Sequence, residues 1–484
     1  MLTKGHVLLI NPWIYDFAAY NEWLEPLGLL SVAAVLRENG YTLSLVDCLD
    51  RWHPDLLKLQ GREAPKSNEY GCGKFHKTFL DKPAILAHVP RRYGRYGLPL
   101  EIFEAELDRQ PRPDAVLVTS GMTYWYPGPC EAIRRAKARW PDVPVILGGV
   151  YATLCPDHAR QNSGADFVIH GEGELQTLRL VDSLTDHSSR YDKYSSPSTG
   201  SGHSLDSYPF PAHDLRRNQG YVAVITSRGC PYRCTYCASH LLNPQGFRQR
   251  DPHRVVAEIE WCRSSTTLRP FDGAQGRLGS GHDTELGVRD LAFYDDALLV
   301  NAQRHIHVIL DEVIARGLDC RFHTPNGLHA ELIDESLAAK MSQAGFKTVR
   351  LGLESCDPEE QRRSGGKVTN EGFQRAVTAL RAVGFEAADV TAYIMLGLPG
   401  QSIKEAEESI AFAHQCGATV EVTLYSPIPG TAEWERAVHH WGLDPQADPL
   451  LHNESAYPLQ TEVLDIEAFE QVKALARRGN QGLS

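Results

Sequence analysis

Short apolar runs alternate with helix-length segments through most of this chain, and no other feature restricts its fold so strongly. Val7–Ile10, Leu43–Val46, Ala115–Thr119, Val143–Leu147 and Phe167–Ile169 read as strands. Helices are expected at Leu27–Glu38, stopped by Asn39-Gly40, and from about Pro129 to Trp140. Strands joined through helices pair in parallel, because a parallel crossover needs a dozen or more residues. The first 180 residues therefore predict an α/β, doubly wound, Rossmann-like sheet. The glycines of Gly148-Gly149 and Gly171-Glu172-Gly173-Glu174 close its strands at the ends where such sheets bind ligands.

The alternation returns at Val222–Thr226, Leu291–Tyr294, Arg321–His323, Thr348–Leu353, Thr391–Leu396 and Val420–Tyr425. Intervening helices are expected at Val255–Cys262, Glu331–Ala344, Phe373–Ala382 and Ile403–Gln415. Six βα steps over residues 216–435 fit a partial (β/α)6 barrel with its site at the strand C-terminal ends. Residues 181–215, rich in Ser, Asp, Tyr and Gly, read as a linker. A second low-order stretch spans about Ser264 to Gly287, and both stretches carry Gly-Ser-Gly-His (Gly200–His203 and Gly279–His282). That echo reads as inserted surface sequence rather than as a structural repeat. The tail, residues 436–484, is too short for another domain and ends in one amphipathic helix, Ile466–Arg477.

Composition excludes several classes of protein. With 484 residues, 42 % hydrophobic and 23 % charged, the chain has the make-up of a soluble protein of two or three domains. No apolar run reaches the roughly 18 residues of a membrane span, and the N-terminus has no signal-peptide pattern, so a cytoplasmic location is expected. A net charge of −12 argues against a nucleic-acid partner. The one basic patch, Arg91-Arg92-Tyr93-Gly94-Arg95-Tyr96, reads first as a solvated loop and second as a grip on an anionic ligand. Of eleven cysteines, all expected to be reduced, eight are scattered singly: Cys48, Cys72, Cys130, Cys155, Cys262, Cys320, Cys356 and Cys416.

The other three form Ser227-Arg-Gly-Cys230-Pro-Tyr-Arg-Cys234-Thr-Tyr-Cys237, directly after a buried strand. Cys-x3-Cys-x2-Cys on a tight loop lets three thiolates converge on one cubane [4Fe–4S] cluster. Structural zinc or a closed electron-transfer cluster needs four ligands, and His240 is the nearest candidate for a fourth. Three ligands leave one iron open, to be chelated by the amino and carboxylate groups of S-adenosylmethionine (SAM). An electron from the cluster would then break the sulfonium C–S bond and release a 5′-deoxyadenosyl radical, which a barrel interior shields.

Here the chain resembles the radical SAM enzymes, from about residue 220 to 435. The resemblance implies SAM contacts at Tyr236, before the last cluster ligand, and at Asp295 and Asp296 after the second barrel strand. It implies further contacts at Glu354 and Ser355 of Gly352-Leu-Glu-Ser355, at Gly397 and Pro399 of Gly397-Leu-Pro-Gly400, and at Tyr425 and Pro427 beside Ser426–Thr431. Helix capping is the competing role for the carboxylates, and turn chemistry for the glycines and prolines.

The first 175 residues resemble the cobalamin-binding domain found ahead of such barrels. The likeness rests on Asn11-Pro12-Trp13, Pro26-Leu27-Gly28, Gly148-Gly149 and Gly171–Glu174. It implies cobalamin contacts at Asn11, Pro12, Trp13, Leu27, Gly28, Thr119, Ser120, Gly148, Gly149, Thr153, Gly171, Glu172, Gly173 and Glu174. Asn11 and Trp13 are placed nearest the lower cobalt face, with ordinary core as the alternative for Trp13. The loop after the first strand reads Asn-Pro-Trp-Ile-Tyr-Asp, without the histidine of His-on cobalamin domains, so cobalamin would bind with no protein ligand to cobalt. Between the strands, Phe75–Lys77, Lys82-Pro83 and Arg92–Gly97 form a region the sheet pattern does not need, and long loops of this kind usually serve function.

Together the resemblances imply a cobalamin-dependent radical SAM methyltransferase acting on an unactivated carbon of a small molecule, natural product or lipid. A flavodoxin or ferredoxin would supply single electrons. The rival within the class is a cyclase, ring-contraction or rearrangement enzyme. A tRNA methylthiotransferase is weaker, because Cys48, Cys72, Cys130 and Cys155 do not form its second triad. A non-catalytic cobalamin or iron–sulfur sensor is the reading from another class.

Overall fold

The structure is a computed structural model and describes residues 3–185, 204–217, 220–265, 287–456 and 464–483. Both Gly-Ser-Gly-His segments, and most of the two stretches read as inserts, lie outside the described residues. The chain divides into two compact units, with the boundary between Val222 and Ala223.

The first unit is built on strands β1 (Gly5–Asn11), β2 (Tyr41–Asp47), β3 (Ala115–Val118), β4 (Val145–Leu147) and β5 (Phe167–Val168). They lie in the order β5-β4-β3-β1-β2, with every pairing parallel. Helices α1 (Leu27–Glu38), α2 (Leu100–Arg109), α3 (Pro127–Arg139) and α4 (Glu174–Leu184) cover both faces. Along β1 the alternation is strict. Val7 and Leu9 pack with Ala33, Leu36 and Val181 on one side, and Leu8 and Ile10 with Phe103 and Ile133 on the other. Burial on both faces is why β1, β3 and β4 carry unbroken apolar runs. At β4 the ladder begins at Val145 rather than Val143, because Pro144 has no N–H to give and only its carbonyl takes part, accepting from Val116 N.

The stretch between β2 and α2 is ordered. Gly94–Tyr96 is the middle strand of a small antiparallel sheet, flanked by Ile14–Asp16 and Lys77–Phe79. Arg95 is 7 % exposed and Tyr96 4 %, so this half of the basic patch is not a solvated loop, whereas Arg92 before it is exposed. The Arg95 guanidinium lies over the Trp13 ring at 5.7 Å, and Tyr96 Oη donates to Phe17 O. Arg51 fixes the neighbouring loop by donating to the carbonyls of Lys66, Gly71 and Lys74 and to Ser67 Oγ. Within the expected linker, residues 204–217 pack on α1: Ala212 N donates to Leu30 O, and buried Glu25 meets His213 Nδ1 at 2.8 Å and Arg216 at 3.0 Å.

The second unit contains β6 (Tyr221–Val224), in which the boundary falls, then β7 (Asp290–Phe293), β8 (Arg321–Leu328), β9 (Phe346–Glu354), β10 (Val390–Leu396) and β11 (Thr419–Leu424). These form one sheet in chain order, parallel from β7 to β11, with β6 and β11 at its two edges. Helices α5 (Pro252–Ser264), α6 (Ile306–Ala315), α7 (Glu335–Ala344), α8 (Asn370–Ala382), α9 (Ile403–Cys416) and α10 (Ala432–Trp441) run between or after the strands. Helix α7 starts at Glu335, four residues later than the sequence suggests, because Asp334 caps it by accepting from Leu337 N at 2.7 Å.

The tail helix, α11 (Ile466–Leu483), belongs to this unit and packs on α9 and β11. Its Asn480 pairs with the edge strand as another strand would: Val420 N donates to Asn480 Oδ1 (2.8 Å) and Asn480 Nδ2 donates to Val420 O (3.0 Å). Asn480→Ala would leave both groups of the buried Val420 unpaired. A loss of about 1–3 kcal/mol is expected, read as a lower denaturation midpoint at unchanged helix content.

Candidate active site

The cysteine loop begins where β6 ends. Ser227–Arg228 pair antiparallel with Arg248–Gln249, and the chain then turns through Gly229 at φ +76°. A Cβ there would lie 2.7 Å from Gly246 O, so only glycine delivers Cys230 at this angle. Two other segments hold the loop from behind. Thr235 N donates to Ser364 O (3.1 Å), and Gly365 (φ +123°) approaches so closely that a Cβ would stand 3.0 Å from Cys234 Cα. The fully buried Glu433, at the start of α10, donates through its amide to Thr235 O and accepts from Thr235 Oγ1 at 3.0 Å. Arg363 and Arg436 neutralise Glu433 at 3.2 and 2.7 Å.

Cys234 is buried, and Cys230 and Cys237 are half-buried. Burial pushes all three thiols up, Cys230 to about 11, and at Cys230 and Cys237 the charge of neighbouring thiols adds to the effect. A triad that raises its own pKa values ionises only against concentrated positive charge, which suits an iron–sulfur cluster. Each sulfur has its own neighbour: Ser239 N donates to Cys237 Sγ at 3.4 Å, Lys367 lowers the cost of charge at Cys234, and His329 Nε2 stands 4.0 Å from Cys230 Sγ. Burial pulls His329 down to about 4, so its ring is neutral.

Beside the loop, the ends of β9, β10 and β11 gather most of the predicted SAM residues. Glu354 closes β9 at φ +63°, a strained conformation for a non-glycine residue, and accepts from Lys367 Nζ at 2.7 Å. Gly352 leaves room for that pair, since a Cβ would sit 2.8 Å from Lys367 Nζ. Lys367 Nζ also lies 5.6 Å from the centre of the Tyr236 ring. Burial alone would depress Lys367; Glu354, Tyr236 and Cys234 outweigh it and keep the ammonium charged. Tyr236 packs against Leu398, Tyr425 and Trp434. The hydroxyls of Tyr236 and Tyr425 are both buried, the first beside Lys367 and Cys234 and the second beside Thr431. Gly397 and Leu398 donate to Gln401 Oε1, Pro399 O accepts from Arg436 Nη2, and Pro427 is buried in the turn after β11.

One predicted SAM contact is structural instead. Asp295 is buried and accepts from Thr226 N, Thr226 Oγ1 and Ser227 Oγ at 2.6–3.1 Å, stitching β7 to β6. Ser355, 2 % exposed, accepts from Asp357 N through its Oγ. Asp296 accepts from Ser239 Oγ at 2.6 Å, so it supports the cysteine loop from the next strand. Lys367, His329, Ser239 and Glu433 were not legible as site residues. Only Lys367 had a local signal, the Gly365-Gly366 pair before it.

In the first unit the glycines converge at the C-terminal ends of β3, β4 and β5. Gly149 has φ +96°, and a Cβ would lie 2.3 Å from Ser120 O. Ser120 Oγ donates to Gly148 O at 2.6 Å. Thr153 Oγ1 donates to Gly149 O at 2.8 Å and accepts from Gly171 N at 2.9 Å. Around Gly28 and Gly171 (φ +73°) nothing lies within 4 Å of where a Cβ would stand. Open backbone of this kind, beside the point where strand order reverses between β1 and β3, fits a bulky ligand. Gly173 packs on α1 through Val32, Thr119 N donates to Ile10 O at the end of β1, and Glu172 and Glu174 start α4. Leu27 is buried at the start of α1, and Asn11 donates to Asp47 at 2.7 Å, tying β1 to β2. Pro12 is buried too, and Trp13 is core rather than ligand-facing. Trp13 is 1 % exposed, packs on Phe103 at 4.5 Å and spends its indole N–H on Leu98 O.

Three thiols on a loop at the mouth of an open parallel barrel, joined to a glycine-lined doubly wound sheet, define a radical SAM enzyme with a second, corrinoid-type unit. Family models agree: the Radical SAM superfamily matches residues 224–413 and the B12 binding domain residues 96–181. The chain belongs to the radical SAM enzymes that carry a cobalamin-binding domain. It is similar to the uncharacterized methyltransferase PH0819 of Pyrococcus horikoshii, with 26 % identity over 77 % of this chain and 79 % of that one. It is also similar to cytidylyl-2-hydroxyethylphosphonate methyltransferase of Streptomyces wedmorensis, with 22 % identity over 91 % and 83 %. Its fold matches the methyltransferase TsrM of Kitasatospora setae, solved with cobalamin and a [4Fe–4S] cluster, at a TM-score of 0.63 and 15 % identity over 98 % and 91 % of the chains. No helix among the described residues is long and apolar enough to cross a membrane.

The glycine cradle can be tested directly. Gly149→Ala should cost more than about 2 kcal/mol, since it forces an unfavourable φ and a backbone clash together. The same variant should lose cobalamin on desalting, measured as cobalt per chain, while keeping its iron.

Proposed function

We propose that this protein is a cobalamin-dependent methyltransferase that places a methyl group from SAM on an unactivated carbon of a small organic substrate. The observation that carries the reading is the presence in one chain of both sites, the thiol triad of Cys230, Cys234 and Cys237 and the glycine cradle of Gly148, Gly149 and Gly171. The relatives named above as methyltransferases span most of the chain, which favours methylation over ring contraction or rearrangement. When bound, the cluster supplies the electron that splits SAM, and the corrinoid carries the methyl group.

The residues of this chain do the rest. The three cysteines hold the cluster and leave one iron to the SAM amino and carboxylate groups. Lys367, kept charged by Glu354, offers a cation beside Cys234 for an anionic group of the ligand. Tyr236, Leu398 and Tyr425 form a largely apolar wall edged by two buried hydroxyls, suited to a nucleoside and able to exclude water. In the first unit, Ser120 and Thr153 hold the glycine turns open for the corrinoid. No histidine stands in the Asn11–Asp16 loop after β1, so cobalt would take no ligand from it. All eleven cysteines are free, as suits a cytoplasmic protein, and an external flavodoxin or ferredoxin would deliver the electron.

Anaerobic reconstitution with iron, sulfide and cobalamin tests the proposal, with the Cys230→Ala/Cys234→Ala/Cys237→Ala variant alongside. Near-stoichiometric cobalt is expected in both proteins, with a charge-transfer band in the wild type only. Reduced wild type given SAM labelled in its methyl group should transfer the label to the corrinoid, seen by mass spectrometry. A full cluster without retained cobalt would rule out methyl transfer through cobalamin and leave a cobalamin-independent radical enzyme.

A further inference from the structure

We propose that His329 is a positioning residue for the cluster, donating a hydrogen bond from Nε2 to the Cys230 sulfur and thereby raising the potential at which the cluster accepts its electron. The inference rests on the reading that Cys230, Cys234 and Cys237 hold a [4Fe–4S] cluster.

His329 directly follows β8, is 5 % exposed, and brings Nε2 to 4.0 Å from Cys230 Sγ. Its ring stacks on Tyr232 with centroids 4.5 Å apart and planes at 22°. Tyr232 lies two residues past Cys230, so the stack registers the imidazole against the cysteine loop itself and presents the ring edge to the sulfur. A hydrogen bond to a ligating sulfur withdraws negative charge from it. That favours the reduced cluster, which carries one more electron, over the oxidised one. The other two sulfurs already have their own compensation, Ser239 N at Cys237 and the ammonium of Lys367 near Cys234. Packing alone would be served by a phenyl ring; in the tautomer protonated at Nε2, the imidazole adds a single N–H within reach of Cys230 Sγ.

His329→Phe keeps the stack and removes the donor, while His329→Gln keeps a donor and loses the ring. Each variant is reconstituted, its iron and sulfide are counted, and its midpoint potential is measured by EPR-monitored redox titration without SAM or cobalamin. His329→Phe should keep a full cluster with a more negative midpoint. At the wild-type midpoint its oxidised-to-reduced ratio should rise roughly 3- to 10-fold, the worth of one hydrogen bond, and His329→Gln should recover part of that change. An unchanged midpoint in His329→Phe overturns the proposal, as does an equal shift in both variants. If His329→Phe takes up no cluster, hyperfine spectroscopy of the reduced wild type decides. A coupling that changes on 15N-labelling of histidine is expected, and its absence overturns the proposal. A wild type that assembles no cluster would instead remove the underlying reading of the triad.

Discussion

Three thiols that each resist ionisation have to be kept together on one short loop, and much of the second unit is arranged around that constraint. Burial and mutual repulsion raise the thiols when no metal is bound. The loop would spread if its backbone were free. It is pinned on one side by Ser364 and Gly365 and on the other by the buried carboxylate of Glu433. Glu433 is itself tolerable only because Arg363 and Arg436 neutralise it, since a buried carboxylate without a partner costs several kcal/mol. The thiol geometry therefore depends on residues about 130 and 200 positions further along the chain, a non-local closure that only the completed sheet can supply.

That dependence explains what could and could not be read from the sequence. Helix α1 was legible to the residue because Asn39-Gly40 ends it, and β1, β3 and β4 were legible because burial on both faces gives each an unbroken apolar run. The cysteine triad and the glycine turns were legible because their spacing is local. Lys367 and His329 were not, since His329 meets the triad only after β7, β8 and the helices between them have been placed, and Lys367 only after β9 as well. Asp295 shows the opposite failure. An aspartate after the second barrel strand has the right address for a ligand contact, but the chemistry of its surroundings decides its role. Four hydrogen bonds from Thr226 and Ser227 commit it to holding the sheet. Trp13 fails in the same way, since a position after β1 says nothing about which side of the sheet the indole takes.

The two units use one solution for different ligands. In each, parallel strands deliver functional groups at their C-terminal ends, where loops can vary without disturbing the ladder. The first unit puts absences there: Gly28 and Gly171 leave open space, and Gly149 lets Ser120 close on the turn. The second puts chemistry there: Glu354 with Lys367, and the buried phenols of Tyr236 and Tyr425. A large, mostly apolar macrocycle is best met by backbone that stays out of the way, whereas a charged sulfonium nucleoside has to be oriented by polar groups.

Strain and desolvation follow the same division. Glu354 holds a left-handed conformation, and the Lys367–Glu354 pair loses hydration next to a site that would carry a cluster. Neither feature is needed for the fold, since a buried ion pair is often worth no more than apolar side chains of the same volume. A protein keeps such costs where preorganised charge is of use, because a cation fixed before its ligand arrives does not have to be reoriented afterwards. Strain and buried charge also occur elsewhere, at Trp23 and Asn301 and in the Glu25–His213–Arg216 cluster, so neither marks a site by itself. What singles out the ends of β9, β10 and β11 is that a strained residue and a desolvated ion pair lie there together, beside Cys234.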